Sequence, residues 1–241
     1  MKTPTVTIGL PFHNAHHTLP RAVQSVFAQT AQDWELLLVD DGSTDGSREW
    51  AARLVDPRIR VLADGENRGL AARLNQIADA ATGEYLFRMD ADDIMFPERL
   101  ARQLAFLRAG PGCDLLGTGV VAIDLEDRPR GERSAPESPV LPLAAFRGDL
   151  LYHPTVAGRR DWFRAHRYDP AFRRSQDFEL WTRCAGEATI RNLPEPLLFY
   201  REFGSASWGR YRQHSLLARQ IIAQHGPGQI GAAAGRRMIA R

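Results

Sequence analysis

The chain has 241 residues, enough for one large domain or two fused half-domains around a sizeable core. Its 44% hydrophobic and 25% charged residues are those of a soluble globular protein, and a net charge of +2 gives no general field for nucleic acid, so no nucleic-acid partner is expected. The cysteines, Cys113 and Cys184, are too few for a disulfide framework and fit a reducing cytoplasm as small core residues. No secretory leader is legible, and no apolar run approaches the ~18 residues needed to span a bilayer.

In chain order, Thr5 to Leu10 reads as a first strand ended by Pro11. Leu19, Ala22, Val23, Val26 and Phe27 then recur at helical spacing. Glu35 to Val39 is a second strand, apolar nearly throughout and so covered on both faces. Asp40-Asp41-Gly42-Ser43 breaks it, and Trp50, Ala51, Leu54 and Val55 mark a second helix capped by Ser43 or Asp45. A short third strand runs from Arg58 to Leu62. A loop through Asn67, Arg68 and Gly69 leads to a third helix with Leu70, Leu74, Ile77, Ala78 and Ala81 on one face and Gly83 closing it. Tyr85 to Met89 forms a fourth strand, and Pro97 opens a fourth helix bearing Leu100, Leu104 and Leu107. This alternation predicts an α/β fold with a mostly parallel central sheet and helices on both faces, a three-layer α/β/α arrangement.

Past Gly112 the rhythm changes. Leu115 to Leu125 reads as a long strand and Glu126 to Pro142 as an exposed loop. Shorter pieces follow: a strand near Thr155-Val156-Ala157, a helix from about Asp177 to Ala185, and strands near Ile190 and at Leu197 to Tyr200. The organisation expected is one half over 1–110, a second half over 111–201 on the same sheet, and a basic helical tail over 202–241.

The fourth strand stops in Asp90-Ala91-Asp92-Asp93. Carboxylates at Asp90 and Asp92 are spaced to share a hard divalent cation, which prefers oxygen ligands. Small ligands bind outside the carboxyl ends of parallel strands. That edge gathers Pro11, Phe12, His13 and Asn14, then Asp41, then Arg68, then the acids. Alone, Pro11 reads as a strand terminator, Asp41 as a helix cap and Arg68 as a surface charge. Together they suit a nucleoside diphosphate, with a ring to pack a base, an acid for an imide N–H and cations for phosphates. Neither Gly-x-x-x-x-Gly-Lys-Ser/Thr nor Gly-x-Gly-x-x-Gly follows the first strand, which argues against a P-loop ATPase or a dinucleotide-dependent dehydrogenase.

Pro-Phe-His-Asn, Val-Asp-Asp-Gly-Ser-Thr-Asp, Asn-Arg-Gly, Arg-Met-Asp-Ala-Asp-Asp and Ser175-Gln176-Asp177-Phe178-Glu179-Leu180-Trp181 occur in that order. From about Thr5 to Tyr200 the chain resembles family 2 glycosyltransferases, of the kind that build bacterial surface polysaccharides. The resemblance implies a GT-A fold, a nucleoside-diphosphate sugar donor, Mg²⁺ or Mn²⁺, and inversion at the anomeric carbon. It implies that Asp41 accepts the N3–H of uracil or thymine, which makes the donor a UDP- or dTDP-sugar, with Pro11, Phe12, Asn14 and Arg68 bordering the nucleoside. It places Asp90 at ribose or metal, Ala91 at the donor and Asp92 on the metal, with Asp93 an outer acid or a helix cap. Asp177 becomes the base that deprotonates the acceptor hydroxyl, with Glu179 the second choice. His153, Glu179 and Trp181 fall on the acceptor side, although Trp181 also reads as core.

Three departures bear on this. Gln176 stands where the family often has Glu; Glu202-Phe203 replace a histidine that many relatives carry after Tyr200-Arg201; and Gln-x-x-Arg-Trp, the mark of processive synthases, is missing. Transfer of a single sugar to a saccharide or lipid-linked saccharide is therefore expected. The alternatives are a sugar nucleotidyltransferase and a nucleotide-sugar-binding module without turnover. From Phe203 onward there is no Asp or Glu, while arginines recur around Leu216, Leu217, Ile221 and Ile222. This tail reads equally as an amphipathic helix on the inner face of an anionic membrane or as a helix packed on the domain or a partner subunit.

Overall fold

The computed structural model describes residues 3–110, 112–135, 151–202 and 208–231, and of the last helix the side chains of 216–229. Part of the expected 126–142 loop and the tail arginines Arg236, Arg237 and Arg241 lie outside the described residues. The strands are β1 (Val6–Phe12), β2 (Trp34–Asp40), β3 (Ile59–Leu62), β4 (Tyr85–Arg88), β5 (Ile94–Met95), β6 (Leu115–Ile123), β7 (Pro129–Arg133), β8 (Ala157–Arg159) and β9 (Ile190–Arg201). The helices are α1 (Leu19–Phe27), α2 (Ser47–Ala52), α3 (Leu70–Ala80), α4 (Arg99–Ala109), α5 (Arg160–Ala165), α6 (Gln176–Cys184) and α7 (Trp208–Ile230), with a 3₁₀ turn at His153–Thr155.

One sheet runs in the order β3-β2-β1-β4-β8-β6-β9-β5, with β7 beside β6. The first four strands are parallel, as are β6 and β9, while β8 is antiparallel to both its neighbours. The pleat sorts β2 between two cores. Leu36 and Leu38 join Leu19, Val23, Leu100 and Leu104 on one face, and Leu37 and Val39 join Leu74, Ile77 and Leu180 on the other. The three layers expected from the strand–helix alternation are present. Helix α3 sits close because Gly9 lies beneath it; a Cβ there would be 2.4 Å from Ile77 Cγ2.

Several local expectations change. β1 does not stop at Leu10 but runs through Pro11 to Phe12. The Gly9 carbonyl faces β4 and accepts the Met89 N–H. Pro11, two residues on, turns its missing donor to the same side, beyond the end of β4, so no ladder bond is lost. α2 ends at Ala52 and leaves Val55 99% exposed, so Val55 is no part of its stripe. Asp45 rather than Ser43 takes the Ser47 N–H at that helix start, at 3.0 Å. Thr155 belongs to the 3₁₀ turn, with β8 beginning at Ala157. The two late strands are one, β9, which carries Pro194 and Pro196 where its register against β6 shifts. Within the expected loop, β7 pairs with β6 as a fully exposed edge strand.

The tail helix α7 lies against α6. Ile221 and Ile222 are buried, Gln229 Nε2 donates to the Arg183 carbonyl at 2.9 Å, and Leu216 faces solvent. The isoleucines expected in a membrane-facing stripe are thus used inside the chain. Among the described residues no helix is long and apolar enough to cross a membrane.

Candidate active site

Three corners of chemistry meet at the carboxyl edge of the sheet. The first follows β4. Asp90, Asp92 and Asp93 bring one oxygen each to within 4.8 Å of one another. Converging like charges cost energy without a cation between them. Burial, then the charge on Asp90, pushes the Asp92 carboxyl up to about 6. Asp93 is raised well above the usual carboxylate range by burial, then by Asp90 and Asp92. Its Oδ1 accepts the Arg201 N–H at 2.9 Å, and its buried Oδ2 has no partner among the described residues. Asp93 thus ties down the end of β9 and does not cap α4, whose N-cap is Glu98. Clustered hard oxygens, short of positive charge and with a lone pair to spare, fit a divalent cation.

Asp90 Oδ1 accepts Arg88 Nη2 at 2.7 Å. Arg201, also buried, donates through Nε to the Asp92 carbonyl and through Nη2 to the Asp127 carboxylate, tying the acidic loop to the β6–β7 turn. Leu125 of that turn borders an open cleft of about 570 Å³, together with Pro11, Asn14, His17, Asp90, Ala91 and Asp92. Phe12 also lines this cleft, but it is only 3% exposed and belongs to the core, so its ring is not presented for stacking.

The second corner surrounds Asp41. Its Oδ1 accepts the Arg68 N–H at 2.8 Å, the Gly69 N–H at 3.1 Å and Arg73 Nε at 2.8 Å. Asp41 therefore serves the start of α3 rather than that of α2. Its second oxygen takes, among the described residues, the Gly69 N–H at 3.1 Å. The Arg68 guanidinium turns outward to Asp64 at 3.1 Å and is largely exposed. Asn14, in the left-handed region at φ 49°, accepts the Thr44 N–H and pins the β1 loop to the β2 loop. Asn67 donates to the Asp41 carbonyl at 3.1 Å, and His13 Nδ1 is 2.9 Å from that oxygen.

The third corner is the start of α6. Asp177 stands in its first turn, where the helix dipole favours a carboxylate. Its Oδ1 accepts the Phe178 N–H, and its Oδ2 is 3.8 Å from His153 Nδ1. Burial, then the charge on Arg88, holds His153 well below its ordinary pKa, so the ring is neutral. His153 Nε2 is 2.9 Å from the Tyr168 hydroxyl. Trp181 presents its edge to His153 and is buried at 3%, which makes it core rather than a sugar platform. Glu179, 1% exposed, bonds Arg183 Nε at 2.7 Å and faces His225 of α7 at 3.1 Å. It therefore sits in the α6–α7 seam, away from the cleft expected for an acceptor. Gln176 is buried as well.

Sequence reasoning missed the buried cations. Arg73 is fully buried within the apolar stripe of α3, Arg88 interrupts an apolar strand, and Arg99 donates to the carbonyls of Arg88 and Pro154. A charge at a core position was the available signal, since such residues are rarely buried without a partner.

Residues 7–191 match the family model described as Glycosyl transferase family 2. The chain is 36% identical over 211 residues to EpsE of Bacillus subtilis (strain 168), a protein that carries the name of a glycosyltransferase; the match covers 84% of this chain and 75% of EpsE. In fold it is similar to S. aureus TarS 1-349 in complex with UDP-GlcNAc, with a TM-score of 0.71 at 17% identity, over 98% of this chain and 70% of that one. It is also similar to the mannosyltransferase PcManGT from Pyrobaculum calidifontis in complex with GDP-Man and Mn²⁺, with a TM-score of 0.65 at 20% identity, over 93% of this chain and 64% of that one. The sheet and its helices are those of the GT-A fold, and the chain belongs to glycosyltransferase family 2.

Proposed function

We propose that this glycosyltransferase moves one sugar, with inversion, from a UDP- or dTDP-sugar to a hydroxyl of a saccharide or lipid-linked saccharide in bacterial surface-polysaccharide synthesis. The observation that carries the reading is the pairing of two carboxylate corners with opposite tasks, the Asp90–Asp92–Asp93 cluster and Asp177, facing one buried cation, Arg88. Asp92 and Asp90 would hold Mg²⁺ or Mn²⁺, which when bound offsets negative charge on a departing diphosphate. Asp41 Oδ2, which among the described residues takes only the Gly69 N–H at 3.1 Å, accepts the imide N–H of the base, while Pro11, Asn14, Arg68 and Ala91 border the nucleoside and diphosphate. Asp177, in the first turn of α6, takes the proton from the acceptor hydroxyl as it attacks the face opposite the leaving group. His153 helps orient that acceptor; being neutral, it leaves Asp177 free to bind the proton. The UDP-GlcNAc of TarS and the GDP-Man and Mn²⁺ of PcManGT support a nucleotide-sugar donor and a cation.

Asp177→Asn is the test. Transfer should fall by ~10²–10⁴ in kcat with donor affinity kept. Unchanged turnover would remove Asp177 from the role of base, and loss of donor binding would move it to the donor site.

A further inference from the structure

Arg88 is the charge that β4 carries into the sheet, and the guanidinium side chain is 4% exposed. Its backbone is fixed at both ends, since the N–H donates to the Val156 carbonyl at 2.9 Å and the carbonyl accepts Arg99 Nη2 at 2.7 Å. Of its side-chain donors Nη2 reaches Asp90 Oδ1 at 2.7 Å, while Nε and Nη1 are buried without a partner among the described residues. Beside it lies a void of about 10 Å³ bordered by Gly9, Ile77 and Tyr168, the size of one water. A guanidinium left this unsatisfied is an expensive way to stabilise a strand, because each stranded donor carries its desolvation cost. An apolar residue would pack better there. What Arg88 gains is a hold on one oxygen of Asp90, a residue that lines the cleft.

We propose that Arg88 is a positioning residue for the cation corner: its single Nη2 bond holds one oxygen of the Asp90 carboxylate and so leaves the other for a divalent ion. The inference rests on the metal reading above and deepens it. It separates two effects of opposite sign. The charge of Arg88 repels a cation, whereas its geometry recruits one by ordering a ligand. Arg88→Lys keeps the charge and removes the planar Nη2 donor that reaches Asp90.

The experiment is a double-mutant cycle on Mn²⁺ affinity in the presence of UDP, read by the electron paramagnetic resonance of free Mn²⁺. Wild type, Arg88→Lys, Asp90→Asn and the double variant are compared. Arg88→Lys should weaken Mn²⁺ by ~10-fold or more, the usual effect of losing a group that orients a ligand. In the Asp90→Asn background the same change should have little effect, since its target is gone. Equal losses in both backgrounds, or no loss in either, overturn the proposal. Should Arg88→Lys fail to fold, Arg88→Gln takes its place; because it also removes the repelling charge, weaker Mn²⁺ binding reports lost ordering, and tighter binding with Asp90 intact overturns the proposal. If neither folds while Asp90→Asn is as stable as wild type, Arg88 is a core residue and the proposal falls. Wild type that binds no Mn²⁺ at all would instead defeat the metal reading itself.

Discussion

Two buried arginine–aspartate pairs stand at the same sheet edge and are built in opposite ways. Arg73 is complete: Nε reaches Asp41, Nη1 reaches Asp64 and Gln76, and Nη2 reaches Asp64 and the Glu66 carbonyl. Every donor of the guanidinium therefore has an acceptor. Among the described residues the side chain of Arg88 has one hydrogen-bond partner, Asp90, and strands its other buried donors. A saturated network locks a loop in one shape, whereas an unsaturated one leaves polar capacity facing a site. The Asp41 corner is thus preformed by the chain alone. The Asp90 corner is buried and crowds like charges, which together raise the carboxyls of Asp92 and Asp93.

The contrast breaks most sharply in stability. Arg73→Met strands Asp41 and Asp64 and should cost about 3–5 kcal/mol, the usual penalty for breaking a buried pair from one side. Arg88→Met should cost less than about 2 kcal/mol, because it also removes stranded donors and leaves Asp90 partly solvated. Urea unfolding of the two variants side by side decides, and equal losses would erase the distinction. The second test adds metal. Asp92 ordinarily titrates near 3.8 and is raised to about 6 in the fold, so between those values the folded chain binds more protons than the unfolded one. Its contribution to stability therefore falls as pH rises through that window. A bound cation relieves that repulsion and requires the ionised form, so Mn²⁺ should raise Tm more at pH 7 than at pH 5. A Tm increment independent of pH would place the ion away from these acids.

The sequence carried the parallel half well, because β1 to β4 and their helices each obey one local period. It carried the acids, Asp41 and Asp177 as positions, since their setting at strand ends and a helix start is local. What it could not show was which way side chains turn once distant elements pack. Phe12 looked like a loop aromatic, yet β1 continues in register with β2 as far as Asp40 and draws the ring into the core. Glu179 lies two residues from Asp177, so the helix points it at the opposite side, where α7 supplies His225. Ile190 and Leu197 to Tyr200 read as two strands, but pairing with β6 joins them across Pro194 and Pro196 by shifting register. Arg73 and Arg88 sit inside apolar patterns where a charge contradicts the period, and such a local conflict is the sequence's only trace of a buried ion pair.

Calorimetry of UDP and dTDP binding, with and without Mn²⁺, in wild type and Asp92→Asn bears on all of this at once. If the acids after β4 hold a cation that holds the diphosphate, tight binding requires Mn²⁺ and the variant loses that requirement together with most of the affinity. Nucleotide binding of equal strength in all four titrations would show that the diphosphate is held elsewhere.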